Sequence, residues 1–206
     1  MFTDRREAGQ DLAEVLRGRV EADALVLGVP RGGVVVAAEV ARELGLELDV
    51  VVVRKIGAPG NPEYAIGAVD EDGEVIGGAE AAADPAYVRR AAEEGRAEIG
   101  RRLAAYRHDR PRARIAGREV VIVDDGIATG MTLRAAVESL RRRGAARVVI
   151  AAPVAAPESV RMLREVADEV MVLETPSRFW AVGQHYRRFE QTTDAEVIGL
   201  LQDAWH

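Results

Sequence analysis

The sequence predicts an α/β domain built on a mostly parallel sheet. Short runs rich in valine and isoleucine alternate with segments of helical spacing, the pattern of a parallel sheet covered by helices. The run Val120 to Val123 is wholly β-branched, as in a strand buried on both faces. Two runs end in turns of small residues that open helices: Pro30-Arg31-Gly32-Gly33, and Asp124 to Thr132.

The elements follow in order. Residues 4–19 form an amphipathic helix with Leu12, Val15 and Leu16 on one face. Residues 24–29 form a strand, broken by Pro30, and Val34 to Leu44 a helix capped by Gly45. Residues 48–53 make a second strand and close a βαβ unit. The stretch 57–62, with two glycines and two prolines, reads as irregular. Tyr64 to Val69 and Glu74 to Ile76 flank Asp70-Glu71-Asp72-Gly73 as a hairpin. Asp84 caps, and Pro85 opens, a polar helix running to about Arg107; residues 108–114 are a charged linker. The core resumes with strands at 120–123, 148–151 and 169–173 and helices at 133–143 and 157–166. An aromatic-rich irregular segment covers 175–192, and Thr193 with Glu196 starts a last helix through a capping box.

The 206 residues show no composition break, so a single domain over 1–206 is expected. There are no cysteines, and the histidines, His108, His185 and His206, lack metal-ligand spacing. Met1 to Arg6 lacks the apolar core of a secretory leader, and no apolar run reaches the ~20 residues of a membrane span, so a cytoplasmic protein is expected. A net charge of −6 disfavours nucleic-acid binding. Lys55 is the one lysine among the basic residues, a compact ammonium among guanidinium forks. Dinucleotide, P-loop and nucleophile-elbow motifs are absent.

The two turns carry the chemistry. In a doubly wound sheet their strands sit side by side at the reversal point, so both loops face one crevice at the carboxyl edge. Each precedes a helix N-terminus, whose free N–H groups attract anions. Asp124 and Asp125 would repel a phosphate but accept from sugar hydroxyls. Together they read as a seat for a sugar phosphate with anionic groups at both ends.

The run Val121-Ile122-Val123-Asp124-Asp125-Gly126-Ile127-Ala128-Thr129-Gly130-Met131-Thr132 closely resembles the phosphoribosyl diphosphate (PRPP) signature of type I phosphoribosyltransferases, and the order of elements matches over roughly 24–190. The resemblance implies a three-layer α/β/α fold with sheet order 3-2-1-4-5-6, strand 3 antiparallel and supplied by the hairpin, plus a small hood at about 175–192. By the same resemblance, Asp124 and Asp125 hold the ribose hydroxyls. Gly126, Ile127, Ala128, Thr129, Gly130 and Thr132 hold the 5-phosphate. Arg31 and Gly32 form the pyrophosphate loop, and Lys55 contacts the leaving group. Residues 56–76 are the flexible loop that closes over PRPP, within a loop-and-hairpin stretch of about 56–78. Phe179, Trp180, Val182 and Tyr186 resemble an aromatic hood that stacks a flat base. The family implies Mg²⁺ carried by PRPP rather than bound directly by protein, a nucleobase-like acceptor, nucleotide salvage and a homodimer. The rival is a regulator of the same fold that senses PRPP and binds nucleic acid without turnover. The acidic balance and the short stretch before the first strand, too little for a winged-helix domain, argue against it.

Overall fold

The computed structural model describes residues 1–77, 84–108 and 110–205, without the side chains of Pro62 and Glu63. His206 and position 78, the end of the expected loop-and-hairpin stretch, lie outside the described residues.

Five strands form one parallel sheet: β1 (Leu25–Gly28), β2 (Glu47–Val50), β6 (Glu119–Val123), β7 (Arg147–Val154) and β8 (Glu169–Glu174), in the order β2-β1-β6-β7-β8. Successive residues point to opposite faces, and the burial follows that alternation. Val26, Val121, Val123 and Val149 pack with Leu12 and Leu16 of α1 (Arg5–Leu16), Val36 and Val40 of α2 (Gly32–Leu44), and Val197 and Leu201 of α6 (Asp194–Ala204). Leu25, Val120, Ile122 and Ile150 pack on the other side against Leu133 and Leu140 of α4 (Met131–Arg142) and Leu163 of α5 (Pro157–Leu163). This is the expected three-layer α/β arrangement. Val15 departs from its expected inward face and is 38% exposed, because Ala8 and Ala13 complete the buried stripe of α1 instead.

The capping residues read from sequence do their work. Asp84 accepts from the Tyr87 N–H at 3.0 Å to start α3 (Pro85–Arg107), Gly45 closes α2 in the left-handed region at φ 67°, and Thr193 and Glu196 form a reciprocal capping box.

The sixth, antiparallel strand of the expected sheet is a correction. The hairpin instead makes its own antiparallel sheet, β3 (Arg54–Ala58), β4 (Asn61–Val69) and β5 (Val75–Gly77), in that order. Strand therefore occupies much of 57–62, and only a tight turn at 59–60, with Gly60 at φ 76°, interrupts it. The main sheet gains no sixth strand because side chains already occupy the outward groups of β2 and the residues after it. Trp205 Nε1 donates to Leu48 O at 2.8 Å, and Arg107 to Val50 O at 2.9 Å. The Val50 N–H goes to Asp49 at 2.8 Å, and the Val52 N–H to Glu71 at 2.9 Å.

The same groups anchor the β4–β5 turn. The Arg107 guanidinium, 8% exposed, joins Asp49 at 2.9 Å and Glu71 at 3.0 Å. Asp70 accepts from the N–H groups of Asp72 and Glu74, both at 3.0 Å, and pairs with Arg142 of α4 at 2.7 Å. Burial pushes the Asp70 carboxyl up, but hydrogen bonds from Ser139 and Arg142 outweigh it and hold it below the usual value. The turn after Val69 is thus tied to two helices and to the main sheet.

Candidate active site

The site begins with the pairing of β1 and β6, in which Gly28 lies opposite Val123 and the Val29 N–H donates to Val123 O at 2.9 Å. That register brings the two glycine-bearing turns into contact. A Cβ built on Gly32 would lie 2.0 Å from Asp125 Oδ2, and one on Gly33 would lie 2.8 Å from Val123 O and 2.9 Å from the Asp124 Cα. Only glycine permits this approach. The Pro30–Arg31 peptide between strand and turn is cis.

A cleft of about 400 Å³ opens above these turns and is lined by Arg31, Gly32, Lys55, Asp124, Asp125 and Thr132, residues from both halves of the sequence. Lys55 lies on β3 and also lines a second cavity of about 270 Å³ between the hairpin sheet and α4. Arg54 and Arg102 line the main cleft too, and sequence reasoning missed both. Arg102 lies on α3, read only as a polar helix. Arg54 precedes the lysine that drew attention.

The loop after β6 divides its tasks. Gly126 is buried against Val182 of the hood, where an added Cβ would meet Cγ1 at 2.4 Å. Ile127 is a core residue whose N–H already donates to Val154 O at 2.9 Å. Ala128 and Thr129 are exposed, on a concavity beside Ser159 at the outer side of the loop rather than in the main cleft, and Ser159 Oγ donates to Ala128 O. Gly130, at φ 70°, turns the chain into α4, and no side chain caps that helix start. The N–H groups of that helix start are therefore available to an anion beside Thr132.

The acid pair is electrostatically tense. Burial, followed by repulsion from Asp125, pushes the Asp124 carboxyl well above the usual carboxylate range. Burial also raises Asp125, but Arg5 of α1 opposes it from 2.7 Å. Arg5 is the third residue the sequence concealed: on an amphipathic helix far away in the chain, its contact is purely tertiary. Among the described residues, no group of three or more His, Cys, Asp or Glu side chains could hold a metal ion.

The hood residues do not line the cleft. Val182 begins a 3₁₀ turn, Val182–His185, seated on Gly126. Phe179 stacks on His185 with centroids 5.6 Å apart, and His185 Nε2 is buried without a hydrogen-bond partner. Tyr186 is 5% exposed, packed between Phe2 and Phe189, and donates its hydroxyl to Asp125 O at 2.5 Å. Burial raises the Tyr186 phenol far above its ordinary value, so it stays a donor. It supports the acidic turn from beneath and has no face free for a base. Trp180, by contrast, is 80% exposed.

No helix among the described residues is long and apolar enough to cross a membrane. The phosphoribosyl transferase domain model matches residues 2–187. The crystal structure of TT1426 from Thermus thermophilus is 50% identical and covers 98% of each chain at a TM-score of 0.89. A Mycobacterium tuberculosis protein named "Putative phosphoribosyl transferase Rv0571c" is 46% identical over 212 residues, 99% of this chain and 47% of its own length. The chain thus spans about half the length of the curated relatives it matches. APRTase from Giardia lamblia, 12% identical over 84% of this chain and 80% of its own, shares the fold at a TM-score of 0.51.

Proposed function

Since the chain belongs to the phosphoribosyl transferase domain family, we propose that it transfers a 5-phosphoribosyl group from magnesium-bound PRPP to a nucleobase-like acceptor and releases pyrophosphate. The observation that carries this reading is the contact of the two turns, with Gly32 against Asp125 and Arg31, Lys55 and Thr132 around one cleft. A ligand with a sugar between two anionic groups fits that order of side chains.

In this reading Asp124 and Asp125 accept from the ribose hydroxyls, and the uncapped start of α4, with Thr132, takes the 5-phosphate. The bond from ribose C1 to the pyrophosphate oxygen breaks, its electron pair leaving with pyrophosphate. An acceptor nitrogen forms the new bond to C1 and gives up its proton. Charge develops on the leaving group, so fixed cations aimed at it count most. Arg31 and Lys55 supply them, with Arg54 and Arg102 close by, and magnesium arriving on the substrate neutralises part of the same charge. Closure of the β3–β4 end would exclude water from the cationic ribosyl centre. Trp180 is the exposed ring best suited to stack an acceptor, with Phe179 and the Val182 backbone behind it. A cytoplasmic, homodimeric salvage enzyme completes the proposal on the family resemblance. The direct test is incubation with Mg-PRPP and a panel of nucleobases, with pyrophosphate release followed by mass spectrometry. No release with any base would overturn the reading.

Two variants separate the roles. Lys55→Ala is expected to slow turnover about 10²-fold, in the range seen when one charge-stabilising donor is lost. It should change the affinity for a nucleoside monophosphate, which lacks pyrophosphate, only about twofold. Equal effects on both would remove Lys55 from the leaving group. Trp180→Ala should raise KM for the acceptor about tenfold, consistent with ~1–3 kcal/mol for base stacking, and leave PRPP affinity unchanged. An unchanged acceptor KM would return Trp180 to the surface.

A further inference from the structure

Arg5 occupies a junction that the proposed chemistry does not yet use. Its Nε donates to Asp125 Oδ2 at 2.7 Å, and the two side chains are only 12% and 16% exposed. Its NH1 donates to Glu190 O at 2.8 Å, and its guanidinium lies 3.9 Å from the centroid of the Phe189 ring. Phe189 stacks on Tyr186, whose hydroxyl holds the backbone carbonyl of the same Asp125. A Cβ on Gly32 would lie 2.8 Å from Arg5 Nε. One side chain thus touches the acidic turn, the pyrophosphate-side turn and the hood, and Asp125 is held at both its carboxylate and its carbonyl.

We infer that Arg5 is a positioning residue for Asp125, fixing the carboxylate that faces the ribose and locking it to the hood. The inference rests on the transferase reading for its ligand but not for its geometry. A guanidinium suits the task because its fork donates along two directions at once, to Asp125 and to Glu190 O, while its flat face covers a ring. A lysine could keep the charge but not both hydrogen bonds and the stacking. Because the pair is shielded, salt should weaken it little.

The charged and titratable groups facing Asp125 are Asp124 on its own turn, Arg5 from α1, Arg31 beside Gly32, and Tyr186 from the hood. Of these, Arg5 is the cation that opposes the effect of burial at 2.7 Å. Without it the carboxyl would hold its proton to higher pH, and a ligand that needs the carboxylate would bind progressively worse as pH falls.

The test uses the full chain and the variants Arg5→Ala and Arg5→Lys, with circular dichroism to confirm folding. Carbon-13 NMR follows the Asp125 carboxyl in the ligand-free protein, and calorimetry follows Mg-PRPP affinity across pH. Arg5→Ala should move the Asp125 midpoint upward and weaken PRPP binding tenfold or more, with the loss growing as pH falls. Arg5→Lys should fall between it and the parent. An unmoved midpoint in folded Arg5→Ala overturns the inference, and so does a loss of affinity that is the same at every pH. A raised midpoint in a protein whose parent binds no PRPP supports the positioning role and sinks the transferase reading, so the two failures are distinct. Should Arg5→Ala not fold, the midpoint in Arg5→Lys decides: a rise supports the inference, and none overturns it.

Discussion

Replacing Asp124 and Asp125 together by asparagine is expected to abolish PRPP binding. Each carboxylate accepts a charge-assisted hydrogen bond in the proposed complex, and such bonds contribute ~1.5–3 kcal/mol each. Losing two corresponds to roughly 10²–10⁴-fold in affinity. The stability of the free protein should move the other way for Asp124→Asn alone. Its ionised form is disfavoured in the fold, because burial and Asp125 hold the carboxyl well above the usual range. The penalty is present at pH values above that raised value and is relieved as pH falls through it. Asparagine keeps an oxygen for the Asp125 N–H, which Asp124 Oδ1 now accepts at 2.9 Å, and removes the penalty. Asp124→Asn should therefore melt higher near neutral pH, by about 2–4 °C for each ~1 kcal/mol relieved, with the gain fading on acidification. Calorimetry and melting curves across pH check both halves; retained PRPP affinity in the double variant would remove the acid pair from the ribose.

Gly32→Ala is expected to be nearly as damaging through a single methyl group. The new Cβ would fall 2.0 Å from Asp125 Oδ2, a distance no real contact shows, and 2.8 Å from Arg5 Nε. The carboxylate cannot move aside without leaving Arg5. Overpacking of this kind costs ~1–3 kcal/mol of stability. The larger consequence is displacement of a binding group by about 1 Å, which can cost on the order of 10²-fold. Gly45→Ala is the matched control: it is strained at φ 67° but meets nothing within 4 Å, and lies at the far end of α2. It should lower the melting temperature and leave PRPP affinity as it was. If Gly32→Ala binds PRPP as the parent does, the two turns do not form one site.

What the sequence discloses and what it withholds have physical causes. Val120 to Val123 and the acid pair that follows are local signals, because strand periodicity and turn chemistry are written in consecutive residues. The caps at Asp84, Gly45 and Thr193 are legible for the same reason. Arg5 is illegible, since its role depends on a partner 120 residues away. Arg102 is hidden likewise, one arginine among several on a polar helix. The hairpin is visible as strands but its sheet is not, because the hydrogen bonds that exclude it from the main sheet come from Trp205, Arg107, Asp49 and Glu71, side chains without a local pattern. Tyr186 reads as a stacking ring because composition cannot tell a ring that covers a ligand from one that lies beneath a turn.

That side-chain occupation of the β2 flank has a consequence for assembly. An unguarded border strand is a template on which another chain can add, and runaway addition leads to fibrils. Here Leu48, Val50 and Val52 present no open amide ladder to a newcomer, because an indole, a guanidinium and two carboxylates have taken its places. Strand addition along β2 would first have to break these four hydrogen bonds.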